Sequence, residues 1–223
     1  AFSHARLLDY EMRIRGADYH QIAEAGGGIL SSVKAVRAAA PEDLEAQARR
    51  AVHHFARHGT TTIEAKSGYE MTFHGEIRQL EIIRTLNETH PIDLVPTFCA
   101  QGIPFEYENR VDELTDEIVS KWIPEIGRRR LAEYSDVYCE KGYFNVEQSR
   151  RILETGRKHG MKLRIHADWL AHSGGAKLGA ELGVVSADHL IFTLKYRRDV
   201  FVDNRVKRMC VESFTETCYK LSI

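Results

Sequence analysis

Two pairs of histidine and aspartate stand at positions where the sequence could do chemistry. His166 and Asp168 follow an apolar stretch, and Asp188 and His189 end a second run of small and apolar residues. A neutral imidazole binds zinc or iron and also transfers protons near neutral pH. The pattern around His166 fits equally a histidine held by hydrogen bonds at a crowded strand end. The second pair, at the next strand end, favours a metal ligand beside an acid–base group.

A lysine and a tyrosine frame a further candidate for binding. Residues 66–69 read KSGY and follow a β-branched run, so the ammonium group of Lys66 and the phenol of Tyr69 would stand at a strand end. Both groups could hold an anionic substrate. Ser-Gly is also ordinary turn chemistry, so this segment by itself leaves the two interpretations open.

These residues fall within a regular alternation of predicted helices and strands. Strands are expected at 60–66, 94–100, 136–140, 163–168 and 184–191, with helices at 41–59, 77–86, 111–126, 146–157 and 176–182. Such alternation predicts a parallel sheet, which both a doubly wound fold and a (β/α)₈ barrel satisfy. Polar residues at the C-terminal ends of the strands favour the barrel. Since five strands cannot close it, either the sheet is open or strands are missing.

Composition narrows the class of function. The chain has 223 residues, a formal net charge of -1 and 28% charged residues, which predicts one domain acting on a small molecule, with no nucleic acid or membrane partner. Its four cysteines show no CxxC spacing, and no secretory signal is recognisable. We therefore expect a cytoplasmic protein.

Several strings of residues along the chain form a specific pattern. The first half of the chain carries RIRGADY at 13–19, GGGI at 26–29 and TTIEAKSGY at 61–69. The second half carries DVYCE at 136–140, EQSRRIL at 147–153, HAD at 166–168, GGA at 174–176, AELG at 180–183 and SADHL at 186–190. Together these strings resemble the imidazolonepropionase family of the amidohydrolase superfamily, and the resemblance covers roughly residues 6–190.

The family resemblance implies a partial (β/α)₈ TIM barrel of the metal-dependent amidohydrolase type, containing only the second to sixth strands. The incomplete barrel domain would occupy residues 1–194, and residues 195–223 would form a divergent tail. By resemblance, His166 is a ligand of one divalent metal, zinc or iron. The remaining ligands, an HxH pair and a distal aspartate, are expected outside this chain.

The resemblance also implies roles for single residues in hydrolysis of 4-imidazolone-5-propanoate to N-formimino-L-glutamate. His189 would be the acid–base residue, and Asp168 is a second catalytic candidate because strand alternation would place it on the face of His166. Residues expected to bind the substrate are Arg6, Tyr19, Tyr69 and Gln101. A guanidinium group and phenols suit a carboxylate because they offer directed donors.

Two positions depart from the family pattern. Gln101 stands where the family usually has a substrate-binding histidine, and Trp169 stands where it usually has Glu or Gln. Glutamine cannot carry a proton's charge, and indole supplies only an N–H donor. The alternatives are therefore another cyclic amidohydrolase or deaminase of the superfamily, and a noncatalytic barrel fragment. The expected partner is the small-molecule substrate, and a homodimer is also allowed.

Overall fold

A computed structural model describes residues 6–193 and 207–209 of the chain. The chain divides into two compact units. The first comprises Ala1–Glu108 with Arg129–Glu133, and the second comprises Asn109–Arg128 with Tyr134–Ile223.

The first unit places four helices before a pair of parallel strands. Its elements are α1 (Leu7–Ile14), α2 (Tyr19–Glu24), α3 (Ile29–Ala38), α4 (Pro41–Arg57), β1 (Thr62–Lys66), α5 (Phe73–Thr89), β2 (Asp93–Ala100) and a 3₁₀ turn (Phe105–Tyr107). Pro41 opens α4, where its missing N–H costs nothing. Thr72 caps α5 by accepting a hydrogen bond from the Gly75 amide. Helix α5 thus carries the chain from β1 back to its parallel neighbour β2.

The second unit contains four parallel strands in chain order. Its elements are α6 (Val111–Glu117), a π turn (Ile118–Trp122), α7 (Ile123–Arg129), β3 (Tyr134–Cys139), α8 (Val146–Lys158), β4 (Lys162–Ala167), α9 (Gly175–Leu182), β5 (Ser186–His189) and β6 (Lys207–Met209). The register places Tyr138 of β3 beside His166 of β4, and His166 beside Asp188 of β5. Residues that are far apart in sequence therefore share one row across the sheet.

Helix α8 is fixed at its start by side chains and along its length by close packing. Asn145 and Gln148 form a reciprocal capping box, in which each side chain accepts a hydrogen bond from the other residue's amide. Gly156 lies against β3, where an added Cβ would come 2.4 Å from the Ser135 Cβ. The absence of a side chain at Gly156 is what allows this approach.

The five expected strands are all found, with shifted ends. The expected helices are found as well, but the one expected at 111–126 is interrupted by the π turn between α6 and α7. The last of these strands, expected at 184–191, is Ser186–His189. A short strand at Lys207–Met209 was not expected, because three residues, two of them basic, give no apolar pattern. The other residues of the predicted tail at 195–223 lie outside the described residues. No helix in the described part of the chain is long and apolar enough to span a membrane.

The contact at Gly156 gives a test of the packing of α8. We expect Gly156→Ala to lower the free energy of unfolding by about 1–3 kcal/mol, because the new methyl group overlaps Ser135. An alanine that met no obstacle in a helix would instead be stabilising. Urea unfolding followed by circular dichroism measures the change. In a Ser135→Gly background the same substitution should cost less, and an equal cost in both backgrounds would contradict the contact.

Candidate active site

His166 lies between two buried carboxylates in the second unit. Its Nδ1 is 3.1 Å from Oδ1 of Asp136, and its Nε2 is 3.4 Å from Oδ2 of Asp188. The side chains of Asp136 and Asp188 are 0% and 4% exposed, against 12% for His166. Asp136 lies two residues before Tyr138 on β3, so strand alternation turns both side chains to one face. The imidazole is therefore held at each ring nitrogen by a different strand.

This arrangement favours a proton or a cation between His166 and Asp188. With its proton on Nδ1, the ring donates to Asp136 and turns the lone pair of Nε2 toward Asp188. Two electron-rich atoms 3.4 Å apart repel each other unless a proton or a cation lies between them. Metal–ligand bonds of about 2.0–2.2 Å in tetrahedral geometry separate two ligand atoms by about 3.3–3.6 Å. The spacing of Nε2 and Oδ2 fits a shared divalent ion.

The ring of His189 lies close to that of His166, and the backbone of His189 is left-handed. Its residue partner in the register is Ala167, one row beyond His166. His189 has a φ of 72°, which breaks the strand alternation, and its ring centroid lies 5.4 Å from that of His166. Tyr138 lies 6.1 Å from His166 and 6.5 Å from His189, centroid to centroid. The two histidines expected to act together are thus neighbours.

Asp168 does not follow the strand alternation that was expected of it. Strand β4 ends at Ala167, and Asp168 has a φ of 53°. Its Oδ1 accepts hydrogen bonds from the Ser173 hydroxyl and the Gly174 amide, and its Oδ2 accepts one from the Thr193 hydroxyl. The side chain is fully buried. Its contacts tie the end of β4 to the start of α9 and to the segment after β5.

Cys139 is not a nucleophile in this site. The residue is fully buried at the end of β3. Burial, together with the nearby carboxylates of Asp168 and Glu140 and against a lowering hydrogen bond with Ser149, raises the pKa of its thiol to about 11. The thiol therefore stays protonated at neutral pH, where a thiolate would be needed for attack.

In the first unit, a buried carboxylate organises the loop that carries Tyr69. The side chain of Glu76, in the first turn of α5, accepts hydrogen bonds from the amides of Gly68, Glu70 and Met71. Burial raises the pKa of the Glu76 carboxyl above its ordinary value of 4.5, and hydrogen bonds from Ser67 and these amides offset part of the rise. Glu76 thus fixes the backbone on both sides of Tyr69.

The remaining predicted residues have local partners within the first unit. Lys66 lies 3.0 Å from Glu64 in an ion pair. Arg6 is 3.7 Å from Asp9, whose other contact is the amide of Gly28. Gln101 accepts a hydrogen bond from the Cys99 thiol at 3.2 Å. Tyr19 begins α2, and its side chain lies outside the described residues.

Sequence reasoning missed four residues that the structure places at these sites. Asp188 was noted only as the neighbour of His189, Asp136 and Glu140 appeared only within the string DVYCE, and Glu76 was given no role. The available signal was alternation: Asp136 and Tyr138 are two apart on one strand, as are Arg164 and His166 on the next. Only the register shows which of these residues meet.

The chain is similar to curated imidazolonepropionases. It is 48% identical over 188 residues to the one from Brevibacillus brevis, covering 84% of this chain and 44% of that protein. It is 47% identical to the imidazolonepropionase from Geobacillus thermodenitrificans, over 85% of this chain and 45% of that protein. It is 48% identical to the one from Alkaliphilus metalliredigens, again over 85% of this chain and 45% of that protein. The resemblance expected from the motifs is confirmed. The chain spans less than half the length of these relatives.

Solved structures confirm the fold. A. niger ochratoxinase matches with a TM-score of 0.55 and 14% identity, over 80% of this chain and 46% of that one. Arabidopsis N6-mAMP deaminase matches with a TM-score of 0.58 and 12% identity, over 93% of this chain and 68% of that one. The predicted partial (β/α)₈ barrel fold is therefore confirmed. No family model matches the chain.

The raised pKa of Glu76 predicts how stability depends on pH. A carboxyl whose pKa is higher in the folded state than its unfolded value of 4.5 stabilises the fold most below pH 4.5. This contribution is lost as the pH rises through the folded-state pKa. Glutamine at this position cannot titrate, so the free energy of unfolding of the unmodified chain, relative to Glu76→Gln, should fall from pH 4.5 toward neutrality. Urea titrations at several pH values measure this difference, and a constant difference would contradict the burial argument.

Proposed function

We propose that this chain, which is related in sequence to the imidazolonepropionases along most of its length, acts in metal-dependent hydrolysis of a cyclic amide. The substrate would be 4-imidazolone-5-propanoate and the product N-formimino-L-glutamate, in histidine breakdown. The observation that carries the proposal is His166, held between Asp136 and Asp188 at strand ends of a partial barrel. The C-terminal ends of barrel strands are where such enzymes place their reacting groups.

His166 Nε2 and Asp188 Oδ2 are the atoms that would hold the metal. Imidazole nitrogen and carboxylate oxygen are ligands for zinc and for iron. Asp136 would orient the ring by accepting a hydrogen bond from Nδ1–H, which also makes Nε2 more basic. When bound, a divalent ion supplies Lewis-acid polarisation of the substrate carbonyl and activates water for attack.

His189 is proposed to move the proton in this reaction. Hydrolysis adds the oxygen of water to the carbonyl carbon, breaks the ring C–N bond and delivers a proton to the leaving nitrogen. An imidazole can accept a proton from the water and return it to that nitrogen, because its ordinary pKa lies near neutral pH. For Asp168 the contacts support a positioning role, since both oxygens already accept hydrogen bonds from Ser173 and Thr193.

The substrate's propanoate and ring would be bound by the residues that match the family strings, Arg6, Tyr19, Tyr69 and Gln101. The chemistry of their side chains supports this role, because guanidinium and phenol groups donate to carboxylates. The proposal includes a cytoplasmic location and allows a homodimer. Cys99 and Cys139 are free buried thiols, as expected in a reducing compartment.

A second candidate is hydrolysis or deamination of a different cyclic substrate of the superfamily. Trp169 favours it, because its indole stacks on His189 with ring centroids 4.8 Å apart. The family usually has an acidic or amide side chain at this position, so the shape and polarity beside His189 differ. A noncatalytic barrel fragment is the third alternative.

Metal binding tests the ligand assignment. We expect the chelator-treated chain to bind Zn²⁺ or Co²⁺ in calorimetric titrations, and His166→Ala to abolish binding at this site. Asp136→Asn should weaken binding by roughly 10–100-fold, because the ring loses the group that orients it. His54 and His58 form an exposed pair on α4, so His54→Gln/His58→Gln serves as the matched control and should retain the site. Binding that survives His166→Ala but not the control would contradict the assignment.

Turnover tests the reaction. We expect the metal-loaded chain to consume 4-imidazolone-5-propanoate, followed by the loss of its absorbance, and to stop after chelation or in His166→Ala. His189→Gln should lower kcat by about 10²–10⁴-fold, because glutamine cannot carry the proton. A panel of other cyclic amides and aminopurines separates the second candidate. A metal-loaded, folded chain that turns over none of them would favour the noncatalytic alternative.

A further inference from the structure

The contact between Trp169 and His189 is the closest to parallel stacking among the rings of the site. The two ring centroids are 4.8 Å apart and the planes are inclined by 15°. In comparison, the ring plane of Tyr138 is inclined by 85° to that of His166, an edge-on contact, and by 46° to that of Trp169. An offset stack of two flat rings resists rotation of either ring, because turning one out of plane loses contact over the whole face.

Trp169 is itself held by a buried carboxylate from the neighbouring strand. Glu140 follows the end of β3 and is 2% exposed. Its Oε2 accepts hydrogen bonds from the amides of Trp169 at 2.7 Å and Leu170 at 3.1 Å, and its Oε1 accepts one from the Lys141 amide. Hydrogen bonds to a charged acceptor are stronger than those between neutral groups. Glu140 therefore fixes the backbone from which the indole extends.

Glu140 binds only the backbone amides of this segment, so these hydrogen bonds do not require a particular side chain at position 169. Any residue there could donate its amide to Glu140 in the same way. What tryptophan adds is a broad face that covers one side of the His189 ring. His189 also has a left-handed backbone, so its orientation depends on contacts made after the strand has ended.

We propose that Glu140 and Trp169 are positioning residues for His189: Glu140 fixes the segment 169–170, and the indole fixes the plane of the imidazole. The covered face of His189 is closed to a substrate ring, which leaves the opposite face and the edge of the imidazole, where its nitrogens lie. The consequence for proton transfer rests on the function proposed above, in which His189 moves the proton. The stack itself does not depend on that function.

Histidine ring signals measure the stack directly. In the chain labelled at histidine with ¹³C and ¹⁵N, we expect the ring protons of His189, identified by their loss in His189→Gln, to be displaced upfield by the ring current of Trp169. Trp169→Leu should remove the displacement, and Trp169→Phe should restore part of it. Trp122→Phe, which changes the other tryptophan, buried in the π turn, should leave it unchanged. A displacement that survives Trp169→Leu would overturn the proposal.

The role of Glu140 is tested by the same signal. Glu140→Ala should reduce the displacement at His189, while Glu140→Gln, which retains one acceptor oxygen, should retain more of it. Retention of the His166 signals in each variant shows that the sheet is intact. Equal displacement in the unmodified chain and in Glu140→Ala, with the sheet intact, would overturn the anchoring role.

Kinetics separate this proposal from the proposed function. If His189 moves the proton, Trp169→Leu should lower kcat by about 10–100-fold with a smaller change in KM, and Trp169→Phe should recover part of the loss. A ring-current displacement with no turnover by the unmodified chain supports the stack and contradicts the proposed hydrolysis. Turnover without the displacement contradicts the stack and leaves the hydrolysis supported.

Discussion

The site is organised around one electrostatic constraint, which is the placement of His166 between two buried carboxylates. A buried carboxylate is costly unless it is hydrogen-bonded or faces a positive charge. A proton or a cation at His166 helps Asp136 and Asp188 to meet this condition. The parallel register of β3, β4 and β5 brings these residues together, so the chemistry of the site and the pairing of the strands depend on each other.

Three further buried acidic side chains hold loops rather than reacting groups. Glu76 binds the amides around Tyr69, Glu140 binds those of the segment after β4, and Asp168 binds the turn before α9. In each case a carboxylate accepts several hydrogen bonds from a segment with irregular backbone. Such a segment cannot satisfy its amides through a strand ladder, so an acceptor must come from elsewhere. The same type of residue thus anchors segments of irregular backbone near the strand ends in both units.

The similarity to the imidazolonepropionases is the reason for interpreting His166 as a metal-ligand candidate and His189 as an acid–base candidate. The chain is 43–48% identical to these relatives, and it spans 43–47% of their length. Within the matched part, the metal-ligand candidate and the acid–base candidate lie side by side on neighbouring strands. The tryptophan at 169 changes what surrounds the acid–base candidate, because it supplies a flat apolar face where the family pattern has a polar group. A specificity that differs from that of the relatives would arise at this position.

The sequence by itself determined the alternation of helices and strands from α4 to β5, the parallel class of sheet and the resemblance to the imidazolonepropionases. It also determined that His166 and His189 lie at strand ends, because alternation and turn signals are local properties of the chain. Only the tertiary structure decided which groups meet these histidines. Asp136 is 30 residues from His166 along the chain, so their contact depends on strand register, which no local pattern specifies. The left-handed backbone of Asp168 and His189 likewise overrides the alternation that the sequence predicts, turning one side chain toward Ser173 and the other toward His166.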